Sequence, residues 1–250
     1  SWNKNEIIEL AANAVNPVTG EALNLTKLDI KGLGKAKYIL KEGGTLGDLY
    51  TTSNLRFNDN GYVEVDKNGN LLMTDEGEDI YLGSVFPNHN LAWRNDFSYK
   101  GINLGVLFTA RLGGVCYSAT QANLDLYGVS EASAAARDAG GVLINGREMV
   151  DAQKWYQAIG SQSGLPQYYL YSGANVRLQE LSLGYTFPRK WFRNKLGLTV
   201  SFVGRNLWMI YCKAPFDPEA VASTGLNYQG IDYFMMPSVR NLGFNVKFQF

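Results

Sequence analysis

What most constrains this chain is a two-residue hydrophobic alternation, repeated in segments of about ten residues. In the stretch 91–99, Leu91, Trp93, Phe97 and Tyr99 share one parity, with Asn95 the exception, and Ala92, Arg94, Asp96 and Ser98 share the other. In 102–113, Ile102, Leu104, Val106, Phe108, Ala110 and Leu112 oppose Asn103, Gly105, Leu107, Thr109, Arg111 and Gly113. The stretch 178–187 sets Leu181, Leu183, Tyr185 and Phe187 against Glu180, Ser182, Gly184 and Thr186. The stretch 196–206 sets Leu196, Leu198, Val200 and Phe202 against Gly197, Thr199, Ser201, Val203 and Arg205. The last, 237–250, ends with Leu242, Phe244, Val246, Phe248 and Phe250 on one side and Gly243, Asn245, Lys247 and Gln249 on the other. Successive side chains of a strand point to opposite faces, so each segment reads as a two-faced β-strand. Residues 1–10 are expected to hold the end of a sixth strand.

The connections carry the second signal. The turns at 99–102 and 188–195 are short, whereas 11–89, 119–171 and 212–236 are long and read as irregular. Short and long connections therefore alternate. An outer-membrane barrel has this asymmetry, with short periplasmic turns and long extracellular loops. Strands of about 9–11 tilted residues cross a bilayer, and these segments are that long. Tyr99, Tyr185, Phe187, Trp191 and Phe192 gather near the short turns, where an aromatic girdle belongs. Parity alone leaves two architectures open. One is an all-β transmembrane antiparallel β-barrel, apolar towards lipid and polar towards a lumen. The other is a soluble all-β carbohydrate-binding module with the faces reversed. No apolar run reaches the roughly 18 residues of a membrane helix, a test that strands escape.

Composition and motifs narrow the chemistry. The 250 residues are 18% charged with a formal net charge of zero, so the basic footprint of a nucleic-acid binder is missing. The single histidine, His89, stands in "FPNHNL". "GSQSG" at 160–164 has Gln162 where a nucleophile elbow needs serine. No glycine-rich phosphate loop with its lysine is present. Neither catalysis nor a cofactor is expected. Cys116 and Cys212 are expected about two strand spacings apart, roughly 10 Å, too far for a disulfide. In "DKNGNLLMTDEGED", Asp66, Asn68 and Asn70 fall at the first, third and fifth positions of an EF-hand-like loop. Leu71 replaces its turn glycine, and Gly77 takes the twelfth place beside Glu78. A solvated turn is the better expectation there, with those three residues as the candidate metal ligands. Binding is expected instead. The stretch 119–171 carries Tyr127, Trp155, Tyr156, Tyr168, Tyr169 and Tyr171, whose faces suit sugar stacking. Arg94, Arg111 and Arg205 would line the upper lumen and hold hydroxyls or carboxylates.

Several ordered blocks add a resemblance. "FSYKGINLGVLFTARLGGVCYSATQANLDLYGVS", "LQELSLGYTFPRKW", "VSFVGRNLW", "APFDPEA" and "GIDYFMMPSVRNLGFNVKFQF" resemble the C-terminal half of the SusC/RagA family of TonB-dependent outer-membrane transporters, and 62–83 looks like that family's acidic loop. The resemblance implies a roughly 22-stranded barrel around an N-terminal plug. It implies import of oligosaccharides or peptides, energy relayed by the TonB complex, and a SusD-like surface lipoprotein as lid. About six strands without a plug or a TonB box imply the C-terminal portion of a longer polypeptide, with 11–89, 119–171 and 212–236 as extracellular loops. Six strands alone leave two open edges, which lipid does not tolerate, so the remaining barrel and plug are implied partners. The resemblance also implies that the final strand closes the barrel. Phe244, Phe248 and Phe250 would then act as an assembly signal.

Overall fold

The computed structural model describes residues 1–11, 14–23, 25–74, 77–225 and 228–250. In chain order, β1 (Lys27–Leu33), β2 (Ala36–Lys41) and β3 (Asp48–Thr51) precede the short pair β4 (Asn54–Leu55) and β5 (Met73–Thr74). Then come β6 (Ile80–Ser84), β7 (His89–Tyr99), β8 (Ile102–Leu112) and β9 (Val115–Ser118). Helices α1 (Ala119–Leu126) and α2 (Glu131–Asp138), strands β10 (Val142–Ile144) and β11 (Glu148–Val150), and α3 (Ala152–Ile159) follow. The chain continues with β12 (Leu170–Ser172), β13 (Asn175–Phe187), β14 (Gly197–Cys212), β15 (Ile231–Asp232) and β16 (Asn241–Gln249).

Five of these strands, in the order β16-β14-β13-β8-β7, form one antiparallel wall. Its first hairpin turns on Lys100 and Gly101, both at positive φ. That is the two-residue turn whose twist matches a right-handed sheet, and glycine accepts its second position without strain. Outward rows run straight across the wall. Phe97, Leu104, Leu183, Phe202 and Phe244 are successive partners, as are Tyr99, Ile102, Tyr185, Val200 and Val246. Higher up, Trp93, Phe108, Leu178 and Trp208 make an aromatic row, with Trp93 and Phe108 stacked at 5.6 Å. Among the described residues no second layer packs over these rows: Trp93 is 61% exposed and Phe244 80%. The thirteen residues of β13, at ~3.3 Å each and tilted by ~45°, span about 30 Å, the thickness of a hydrocarbon core.

The strand boundaries differ from the sequence reading for a physical reason. The ladder slips between Leu178 and Glu180 on β13, and opposite it β14 runs from Arg205 to Trp208 through Asn206 at φ 55°. One extra residue reverses the parity beyond it on β13, whereas β14 takes two, so Trp208 faces outward like Phe202. Alternation therefore stops near 178 and 206, while hydrogen bonding carries β13 down to Asn175 and β14 on to Cys212. The strand read over 237–250 begins at Asn241. Residues 1–3 contribute a Trp2–His89 bridge and backbone bonds between Asn3 N and Asn88 O and between Asn90 N and Ser1 O, where a sixth strand was expected.

The long connections are folded rather than irregular. β1, β2, β3 and β6 make a four-stranded sheet, and β12, β9 and β15 a smaller one. The helices start on side-chain caps: Ser118, Ser130 and Asp151 accept from the amides of Gln121, Ser133 and Lys154. Leu49, Tyr38, Val85, Tyr117, Ala122, Leu165 and Ile231 pack together as a dry core above the wall.

Candidate functional site

The face opposite the apolar rows is polar and hydrogen-bonded across strands. Glu180 of β13 accepts from Nε of Arg205 on β14 at 2.9 Å and lies 3.5 Å from Nη1 of Arg94 on β7. Arg94 also grips Asp96 through Nε and Nη2, at 2.9 and 3.2 Å. Gly105 sits under this group. A Cβ there would come 2.5 Å from Ser182 Oγ and 2.8 Å from Asp96 Oδ1, so a larger residue would make these side chains shift. Nearer the short turns, Ser98 Oγ donates to Asn103 Oδ1 (2.8 Å) and Asn103 Nδ2 donates to Thr186 Oγ1 (2.9 Å). Thr186 in turn meets Thr199 at 3.1 Å. This surface can hold hydrated polar groups by exchangeable hydrogen bonds.

Arg94 and Arg205 are thus brought together around one carboxylate. Arg111 is not with them. Its Nη2 donates to the carbonyl of Val85 at 3.0 Å and its Nε is buried without a partner, so it ties the wall to the mass above. The sequence reading placed it in the lumen because it counted parity and not height.

Arg177 was missed. The β13 bulge aims it, opposite Thr109, to the polar face, where it is 4% exposed. Its guanidinium grips Asp217 by two bonds, Nη2 to Oδ1 at 2.6 Å and Nη1 to Oδ2 at 3.2 Å. Its Nε donates to Asn175 Oδ1 at 3.0 Å, and Glu219 lies 3.4 Å away. Ser238 also donates to Asp217. Burial pushes the Asp217 carboxyl up. The bonds from Arg177, Ser238 and the Glu219 amide outweigh it and hold the group below the usual carboxylate range. "APFDPEA" was the available signal: it is the loop that delivers Asp217 and Glu219. A cavity of about 410 Å³ adjoins this clamp, lined by Trp208, Phe216, Pro237 and Arg240 among others.

The aromatic set divides. Tyr127 and Tyr156 share a crevice of about 190 Å³ with Asp125 and Arg137. Trp155 packs against the core and meets Tyr168 edge-on at 5.9 Å, and Tyr168 is exposed. Tyr171 leans on Phe216 at 5.4 Å. Tyr169, expected to stack on cargo, is a core residue instead. It is buried, its hydroxyl donates to Asp125 at 2.9 Å, and burial followed by the Asp125 charge pushes its phenol up. Phe244 and Phe248 lie on the bare outward face beside Phe202, and Phe250 is fully exposed.

The Asp66 loop satisfies itself. The carboxylate accepts from the Asn68 and Asn70 amides and from Asn70 Nδ2, each at 2.8 Å. Bonds from Asn70, above all, hold its pKa below the ordinary value. Lys154 donates its ammonium to the Asn68 carbonyl, so α3 supplies a cation to this turn. Asp75 and Glu76 of the same stretch lie outside the described residues. Among the described residues no three His, Cys, Asp or Glu come together as a metal site. Cys116 is buried, its thiol pushed up to about 12 by burial, and Cys212 lies against the carbonyls of Ala214 and Phe216.

A two-faced antiparallel wall, bare on its apolar side, with short turns at one end and a folded mass at the other, is a section of an outer-membrane-type β-barrel. Known proteins agree. No family model matches the chain. A TonB-dependent receptor P3 of Formosa agariphila is 25% identical over 99% of the chain, and the chain spans 26% of that protein. Structures titled as the RagAB peptide importer in its closed-closed state and as the RagAB peptide transporter superpose with a TM-score of 0.52 over 91% of the chain. They are 20% and 19% identical, and the match covers 25% of each of those chains. The likeness is one of fold: the chain has the architecture of about a quarter of the RagAB barrel chains.

Proposed function

We propose that this chain is part of the wall and outer rim of a TonB-dependent importer in the bacterial outer membrane, acting without catalysis. The observation that carries this reading is the bare apolar face. Phe97, Leu104, Leu183, Phe202 and Phe244 form a continuous greasy row with, among the described residues, no second protein layer above it. A soluble sandwich would bury such a row; acyl chains cover it in a membrane. The Arg94–Glu180–Arg205 group then faces a water-filled passage and is the surface that meets cargo. The cargo is an oligosaccharide or peptide, and Tyr127, Trp155, Tyr156 and Tyr168 are rim candidates for it. The remaining strands and plug, the TonB complex and a SusD-like lipoprotein lid are the partners this role requires.

Fractionation of cells expressing the full-length gene is the direct test. The protein is expected in the outer membrane, resistant to alkaline extraction, with uptake of a labelled peptide or glycan mixture that stops when TonB is deleted. Recovery of the full-length protein from detergent-free supernatant would sink the reading.

A further inference from the structure

The crevice between the α1–α2 turn and α3 is not explained by lining a passage. We propose that it binds a single cationic side chain, an ammonium or guanidinium group, with Asp125 as counter-ion and the rings of Tyr127 and Tyr156 as its walls.

Four observations converge. Asp125 is 8% exposed, and among the described residues its carboxylate accepts from two neutral hydroxyls, those of Ser130 and Tyr169. Among the described residues no lysine, arginine or histidine lies within ion-pair distance of it. Buried carboxylates are ordinarily paired with a cation. Asp125 also stands in the last turn of α1, which has no basic residue, and the negative end of a helix adds to its demand for positive charge. The crevice holds about 190 Å³, well below the roughly 300–1,000 Å³ of pockets for drug-sized ligands, a size that suits one side chain. Finally, its walls suit a cation. Tyr127 is 75% exposed at the mouth and Tyr156 is half-buried, and ring faces attract ammonium and guanidinium groups. Burial, and after it the Asp125 charge, pushes the Tyr156 phenol up. The one native cation lining the crevice, Arg137, is engaged at its wall, donating Nη1 to the carbonyl of Gly128, another lining residue, at 2.6 Å, and makes no ion pair with Asp125.

The cation can come from a cargo peptide or from a basic residue of the lipoprotein lid, and two titrations separate these. A capped Ala-Ala-Lys-Ala peptide and its norleucine counterpart are titrated by calorimetry into the detergent-solubilised full-length transporter, alone and with its co-purifying lipoprotein. The lysine peptide is expected to bind at least tenfold tighter than the norleucine one. Asp125→Asn should erase that ratio, Tyr127→Ala at an exposed position should cut it severalfold, and Arg137→Ala should leave or raise it. Tyr127→Ala keeps the test valid if Asp125→Asn disturbs folding. Discrimination in both preparations assigns the cation to cargo; discrimination only without the lipoprotein assigns it to the lid. Equal binding of the two peptides, or a ratio unmoved by Tyr127→Ala, overturns the proposal. The cargo assignment rests on the importer reading, but binding is scored without uptake. Failed uptake with intact discrimination counts against import alone, and lost discrimination with intact uptake counts against the crevice alone.

Discussion

The wall and the mass above it use apolar residues in opposite ways. In the upper mass Leu49 is fully buried among Tyr38, Leu55 and Val85, and its neighbours are protein. In the wall Phe202 touches Phe244 edge-on at 5.6 Å and otherwise faces outward. One region carries its own solvent-excluded core and the other borrows the surrounding medium as its second layer. The difference shows why overall hydrophobicity, 46% here, says little about membrane residence. What matters is whether the apolar residues meet each other.

Substitutions can break that contrast. The largest effect is expected where the two regions are joined. Arg177→Met strands Asp217 as a buried, unpaired carboxylate, and losing one partner of a buried pair costs about 3–5 kcal/mol. Hydrogen exchange should show residues 213–220 and 237–240 opening while the strands below stay protected. Acid should mimic it. A depressed carboxyl pKa stabilises the fold fully above the unfolded value of about 4 and loses that contribution as pH falls through the lower folded value. The same segments should therefore open in wild type only below about pH 4, and already at pH 7 in Arg177→Met.

Leu49→Ala comes next, at about 3 kcal/mol, because a rigid protein core cannot refill the hole. Thermal unfolding of the full-length protein in detergent should register it whatever the lipid. The matching truncation in the wall, Phe202→Ala, should cost about 1 kcal/mol or less, since acyl chains flow into the space. A drop as large as that of Leu49→Ala would mean that Phe202 packs against protein. Glu180→Gln is the smallest, a few tenths of a kcal/mol in stability, because Arg94 and Arg205 remain half-exposed to water. Its signature is functional: two arginines lose their common counter-ion, and uptake should shift towards acidic cargo.

The wall was legible from the sequence because a strand's period is two and one face must be greasy. The parity of Leu183 and Phe202 needs no knowledge of partners. Register slips were not legible, because Gln179 and Asn206 look like any polar residues. The bulge they make hid Arg177. The upper mass was illegible for another reason: β3 has four residues and α1 eight, lengths at which neither period can establish itself. For the candidate site, the shared face of Arg94 and Arg205 was legible because both sit in the regular part of the wall. The surroundings of Arg111 and Tyr169 were not, because burial depends on what lies above them.

The slip at Gln179 also gives the barrel a place to absorb length. Below it, strand register answers to the thickness of the bilayer; above it, register answers to the grip of Arg177 on Asp217. With one surplus residue between them, either stretch can gain or lose a position without turning the other inside out. Collar and stave are thus cut from a single strand yet keep separate registers.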